Sequence, residues 1–308
     1  MKSNTACYNK VKKDCFKFIK LQETSKEKFK NKEKMIKSFL IPVSFWIASK
    51  VKNKKPFIVG LGGGQGAGKT TITSIISIVL KKYFKLSVFK ISIDDFYKTR
   101  KERFLLSKKL HPLLMTRGVP GTHDINFILD FFKKVKDNKF KSLRLPKFNK
   151  AIDDRCKKKL WYSIKKRPDV IIFEGWCVGA RAEKNNTLKK AINSLEKIDD
   201  IKLIWRKFVN QQLKSKYKKL YNQLNCLLYL KVNKFSLLQK WRLKQERKLW
   251  LKNKKMSNNK IMSKKEVSRF MQTYQRVTKN MLKGAPKYAS IIFNLNSNQQ
   301  IKSVIYKK

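Results

Sequence analysis

Between residues 63 and 70 the chain reads Gly63-Gly64-Gln65-Gly66-Ala67-Gly68-Lys69-Thr70, which satisfies the spacing G-x-x-x-x-G-K-[ST]. With Gly at 11 of 308 residues and Lys+Arg at 76, a chance match is expected in roughly 1% of such chains. The context is also right. Phe57-Ile58-Val59-Gly60-Leu61 before it is a short apolar run of the buried-strand type. After it, Ile72, Ile75, Ile76, Val79 and Leu80 mark one face of a helix over 69–84. Strand, glycine loop and helix in that order predict a phosphate-binding loop. Its glycines allow successive N–H groups to point inward, and the helix start adds its positive dipole end. Residues 63 to 71, ending in Thr71, are the expected nucleotide cradle. In such a loop Lys69 supplies a cation to the β- and γ-phosphates, and the Thr70 hydroxyl can coordinate Mg²⁺.

Further strands are expected at 86–93, 170–173, 226–232 and 288–295, with helical patterns between most of them. This alternation predicts an α/β fold, a mostly parallel five-stranded sheet flanked by helices. A length of 308 residues allows two domains at most, and 42% hydrophobic residues suffice for a real core. Residues 1–54 alternate lysine clusters with apolar residues at helical spacing and read as a lysine-rich helical extension, leaving 55–308 as the domain that carries the loop.

The charge balance, 76 Lys+Arg against 20 Asp+Glu for a net +56, will attract polyanions non-specifically. Nucleic-acid-binding proteins cluster such charge on one face or tail, whereas these lysines run from Lys2 to Lys308. Adenine/thymine-rich coding at exposed positions accounts for them better, and no specific nucleic-acid partner is expected. Five scattered cysteines without a Cys-x-x-Cys pair argue against a disulfide framework or zinc site. No apolar run spans a bilayer, so no membrane association is expected and the protein reads as cytoplasmic. Oligomeric state is not legible.

Asp94 and Asp95 fall at the carboxyl end of the second strand, the edge where open α/β sheets bind ligands. A carboxylate there can cap the next helix, or it can accept the proton of an attacking hydroxyl in phosphoryl transfer. Glu174 ends an all-apolar strand, where a Mg²⁺-organising carboxylate is usually found.

Together with the loop, four strings resemble the plant-type D-glycerate 3-kinases, relatives of uridine kinase, phosphoribulokinase and bacterial pantothenate kinase. They are Ser92-Ile93-Asp94-Asp95-Phe96-Tyr97, His111-Pro112-Leu113-Leu114, Arg117-Gly118-Val119-Pro120-Gly121-Thr122-His123-Asp124 and Glu174-Gly175-Trp176-Cys177-Val178-Gly179. The resemblance runs from about residue 57 to 295 and implies a P-loop NTPase fold, ATP and Mg²⁺ as cofactors, and a small hydroxyl acceptor. It implies that Asp94 is the general base, with Asp95 beside it as a second-layer or Mg²⁺-water contact, and that Glu174 lies on the magnesium side. Tyr97, Arg117, His123 and Asp124 fall on the acceptor side. A cation such as Arg117 suits an acceptor carboxylate.

Residues 145–155 resemble the family's Pro-x-Tyr-Asp-Lys-Ser stretch with departures: Phe148 and Asn149 replace Tyr-Asp and Ala151 replaces Ser, while Lys150 and Arg155 keep the cations. A helix at 238–249 falls where these kinases carry a lid, about 235–255, with Arg242 and Arg247 as candidates to neutralise the transferred phosphoryl group. The best reading is an ATP-dependent kinase, D-glycerate the leading acceptor. A kinase for a nucleoside, a pantothenate-like acid or a sugar phosphate, and a basic nucleic-acid-binding ATPase, are the alternatives.

Overall fold

The apolar run at 57 lies between two other strands, and burial on both sheet faces explains why it carries no alternation. The structure, a computed structural model, describes residues 3–24, 27–52, 55–252 and 262–307. Its main sheet has strands β1 (Phe57–Gly63), β2 (Val88–Ser92), β3 (Val170–Gly175), β4 (Cys226–Lys231), β5 (Ile291–Leu295) and β6 (Ile301–Tyr306). Their spatial order is β6-β5-β4-β1-β3-β2; β1 to β5 run parallel and β6 pairs antiparallel with β5. The five expected strands are thus present and the sheet is six-stranded. The addition, β6, is an edge strand with half-exposed residues and lysine among its apolar positions, so it lacks the continuous apolar run of its neighbours.

Register sets the geometry of the site. Glu174 sits opposite Leu61 of β1 on one side and Ser92 of β2 on the other. The phosphate loop after β1, the turn after β2 and the acid ending β3 therefore open at one carboxyl edge, where α/β sheets bind ligands.

Val59 and Leu61 face one core and Ile58 the other. The first core is covered by the helix Lys69–Lys82 and by the helices Asn4–Gln22 and Ile41–Lys50. Cys7, Val11, Cys15 and Ile19, four apart along Asn4–Gln22, are fully buried. Burying Val or Ile this way stabilises by about 1.5–3 kcal/mol each. The helices of residues 4–22 and 41–50 are therefore integral to one face of the sheet; residues 1–2, 25–26 and 53–54 of the expected extension lie outside the described residues. The second core is covered by the helices Ile125–Lys136, Ile204–Gln212 and Lys264–Tyr288. Between β2 and β3 two small antiparallel pairs, Leu143–Leu145 with Tyr162–Ile164 and Phe148–Asn149 with Asp154–Arg155, project beside the carboxyl edge. Among the described residues no helix is long and apolar enough to cross a membrane.

Candidate active site

The phosphate loop is shaped by its glycines. Gly66 and Gly68 have φ of 77° and 90°, the left-handed region that disfavours side chains, and Gly68 is the N-cap residue of the helix Lys69–Lys82. A Cβ on Gly66 would also meet Trp241 Cβ at 2.9 Å, whereas one on Gly68 would meet nothing, so at Gly68 conformation alone requires glycine. Lys69 Nζ donates to the carbonyls of Gly63 (2.8 Å) and Gly64 (3.0 Å), which holds the ammonium at the loop. Burial pushes its pKa down, while the charges of Glu174 and Asp94 pull it back up. Thr71 closes the first helical turn on the Gly68 carbonyl. Both polar atoms of the Gln65 amide are buried without a hydrogen-bond partner among the described residues. Ala67 is buried at 2% exposure and forms a tight turn with Gly64.

Thr70 Oγ1 donates to Glu174 Oε1 at 3.4 Å, and Glu174 Oε2 is buried with no partner among the described residues. Burial pushes the Glu174 carboxyl up despite Lys69 nearby. A hard cation takes oxygen ligands, and a hydroxyl beside a carboxylate with an orphaned oxygen fits Mg²⁺. Among the described residues no group of three or more His, Cys, Asp or Glu could form an all-protein metal cage.

The neighbouring acids Asp94 and Asp95 share a 3₁₀ turn, Ile93–Phe96, whose start is closed by a capping box with Ser92. They point to different partners. Asp94 accepts from Tyr97 Oη (3.0 Å) and Lys150 Nζ (2.7 Å). Burial would raise its pKa, but the Lys150 charge and hydrogen bond, His123 and the Tyr97 hydroxyl outweigh it and hold the group at about 2. Asp95 accepts from the backbone N–H of Phe148 (3.3 Å) and Ser92 (3.4 Å) and from Tyr162 Oη (3.5 Å). Burial pushes it up to about 6. Asp95 thus clamps the 143–164 insert to the end of β2 and in doing so sets the position of Lys150.

The residues expected on the acceptor side come together around these acids. His123 is buried, stacked on Tyr97 with ring centroids 4.4 Å apart, and its Nδ1 meets Tyr217 Oη at 2.6 Å. Burial pushes it down to about 4, so the ring is neutral at neutral pH; its Nε2 is buried without a partner among the described residues. Arg155 donates from Nε to the Tyr97 carbonyl (2.8 Å) and from Nη2 to Asp124 Oδ2 (3.1 Å), while Asp124 Oδ1 caps the helix Ile125–Lys136. Arg117 forms a short ion pair with Asp153. Asp153 is itself held by Arg103, a fully buried side chain that also donates to the carbonyls of Met115 and Lys98. Tyr274 Oη donates to the Arg117 carbonyl (3.2 Å), and a Cβ on Gly118, at φ 141°, would collide with that hydroxyl.

Arg103, Asp153, Tyr217 and Tyr274 were not expected from motif reading. Arg103 lies in a mostly exposed helix, Arg100–Lys109, where an arginine among lysines carries no signal. Tyr217 and Tyr274 reach the site from distant helices. Asp153 has a left-handed φ of 56° at the tip of the 148–155 pair, which only the folded insert reveals.

A helix, Phe235–Lys252, covers most of the span 235–255 in which a lid is expected, and residues 253–255 of that span lie outside the described residues. Its first half packs on the phosphate loop: Leu238 is buried against Gly64, and Trp241 against Gly66, with Trp241 Nε1 donating to the Ser297 carbonyl at 3.1 Å. Arg242 pairs with Glu246 along its own helix and lies 5.5 Å over the Phe270 ring. Arg247 is exposed.

No family model matches the chain. It is 32% identical over 232 residues to the uncharacterized kinase mug58 of Schizosaccharomyces pombe, covering 71% of this chain and 79% of that protein. It is 27% identical over 255 residues to the chloroplastic D-glycerate 3-kinase of Arabidopsis thaliana, covering 77% of this chain and 52% of the relative, about half its length. Among solved structures, D-glycerate 3-kinase from Cryptococcus neoformans var. grubii superimposes with a TM-score of 0.72 at 23% identity, covering 89% of this chain and 98% of that one, a match in fold.

Proposed function

Since this chain belongs to the P-loop kinase family that includes the D-glycerate 3-kinases, we propose that it transfers the γ-phosphoryl group of ATP to a hydroxyl of a small hydroxy acid, D-glycerate fitting best. The observation that carries this is the position of Asp94. It lies within the field of Lys69 and Glu174 at the phosphate loop and in direct contact with Lys150 of the acceptor wall. A carboxylate between a phosphate cradle and a cationic wall is where phosphoryl transfer to an alcohol needs a proton acceptor.

In this mechanism the loop amides and Lys69 bind and orient the β- and γ-phosphates. Thr70 and Glu174 are the residues that would hold Mg²⁺, which when bound neutralises phosphate charge. The acceptor hydroxyl oxygen attacks the γ-phosphorus, the bond to the ADP oxygen breaks with its electron pair, and the hydroxyl proton passes to Asp94. Trp241 and Leu238 cover the loop and exclude water from one side. Neutral His123 packs behind Tyr97 and keeps that phenol directed at Asp94.

The deciding assay gives the purified chain ATP, Mg²⁺ and a panel of acceptors and follows ADP release. D-Glycerate should turn over with 3-phosphoglycerate as product. Turnover of a nucleoside, a pantothenate-like acid or a sugar phosphate, with none of glycerate, would overturn the acceptor reading. ATP hydrolysis requiring DNA or RNA would overturn the kinase reading as well.

A further inference from the structure

The cations of the acceptor wall differ in how firmly they are committed. Arg103 has no exposed side-chain surface and binds the Asp153 carboxylate together with three carbonyls. Arg155, 14% exposed, is held by Asp124 and the Tyr97 carbonyl. Arg117, 28% exposed, is paired with Asp153. Lys150 is 63% exposed at the end of a two-residue strand, and its partner is Asp94 itself, 2.7 Å away. A lysine on a four-carbon stem, mostly in solvent and tied by one contact, can turn to another anion without breaking a second bond, whereas the arginines would each have to break several. A carboxylate already neutralised by an ammonium is a poor proton acceptor, and the same contact blocks the approach of a water or hydroxyl to it.

We propose that Lys150 and Asp94 form a closed pair that the acceptor must open: the acceptor's anionic group takes over the Lys150 ammonium, and Asp94 becomes free to receive the hydroxyl proton. The inference rests on the kinase reading above and adds a specificity rule to it. Lys150 selects acceptors that carry a negative charge next to the hydroxyl, and in their absence it keeps Asp94 from activating water against ATP. In the productive step the hydroxyl oxygen–phosphorus bond forms as the phosphorus–ADP bond breaks, and the proton goes to Asp94. In the suppressed side reaction water would replace the hydroxyl with the same balance.

The test compares wild type, Lys150→Met and Lys150→Arg with ATP and Mg²⁺, using D-glycerate, its neutral isostere D-glyceramide, and no acceptor. Wild type should prefer glycerate over glyceramide by about 100-fold, the size of a charge-assisted contact. Lys150→Met should lower transfer to glycerate by about 100-fold, reduce the preference below about tenfold and raise acceptor-free ATP hydrolysis at least about threefold. Lys150→Arg should keep hydrolysis low and recover most of the preference. A Lys150→Met enzyme with unchanged preference and unchanged hydrolysis would overturn the proposal. If wild type transfers nothing to glycerate, the acceptor reading fails, and the hydrolysis arm alone decides on Lys150: a rise supports the closed pair, no change removes it.

Discussion

The two walls of the site are built by different means. The phosphate wall is local: Lys69 binds carbonyls five and six residues away, and left-handed glycines at 66 and 68 shape the chain between. The acceptor wall is assembled across the chain. Asp95 reaches Phe148 53 residues on, Lys150 reaches Asp94 across 56, and Tyr274 supports Arg117 across 157. A wall coded by neighbours in sequence tolerates little variation within the motif. One held by long-range ion pairs can change residues, as at Phe148, Asn149 and Ala151, while keeping its cations in place. Asp94 and Asp95 mark the boundary between the walls, since one meets the Lys150 ammonium and the Tyr97 hydroxyl and the other the backbone of the insert.

Substitutions on each side should separate the two. The largest effect is expected of Lys69→Ala, which removes a buried cation from the phosphates and should lower kcat/KM by about 1000-fold with the thermal unfolding transition unchanged. Activity within tenfold of wild type would dissolve the distinction. Asp94→Asn should keep nucleotide affinity, measured by calorimetry, and lose about 100-fold or more in kcat.

For Asp95→Asn a loss of less than about tenfold is expected, because the side chain only positions the insert; a ranking with Asp95 above Asp94 would exchange their roles. Stability separates the acids further. The Asp95 carboxyl, pushed by burial to about 6 from an ordinary 3.8, holds its proton more tightly in the folded chain than in the unfolded one. The stability it contributes is full below about pH 4 and lost as pH rises through 6. Urea unfolding should therefore show Asp95→Asn gaining on wild type by up to about 3 kcal/mol between pH 4 and pH 7. A gap that stays constant with pH would mean that Asp95 is ionised throughout.

Arg242→Ala is expected to change kcat only about twofold, the scale of a contact within one helix turn, since Arg242 is tied to Glu246. A loss of about 100-fold would show instead that this arginine leaves Glu246 for the phosphates during turnover.

Periodicity, apolar runs and one dense motif were enough to predict the parallel strands, the phosphate loop and the acids at strand ends, because each depends on residues close together in the chain. Strand β6 escaped because an edge strand needs no continuous apolar run. The burial of Cys7, Val11, Cys15 and Ile19 escaped because a stripe spaced by four says that a helix has a dry face and does not say what covers it. Which acid meets the Lys150 ammonium and which the backbone of the insert, and how firmly each cation is held, was decided by tertiary structure. Asp94 and Asp95 are adjacent and chemically identical, so apart from the family resemblance of their string nothing local distinguishes them. Their separation arises only when the 143–164 insert folds back to present an N–H to one and an ammonium to the other.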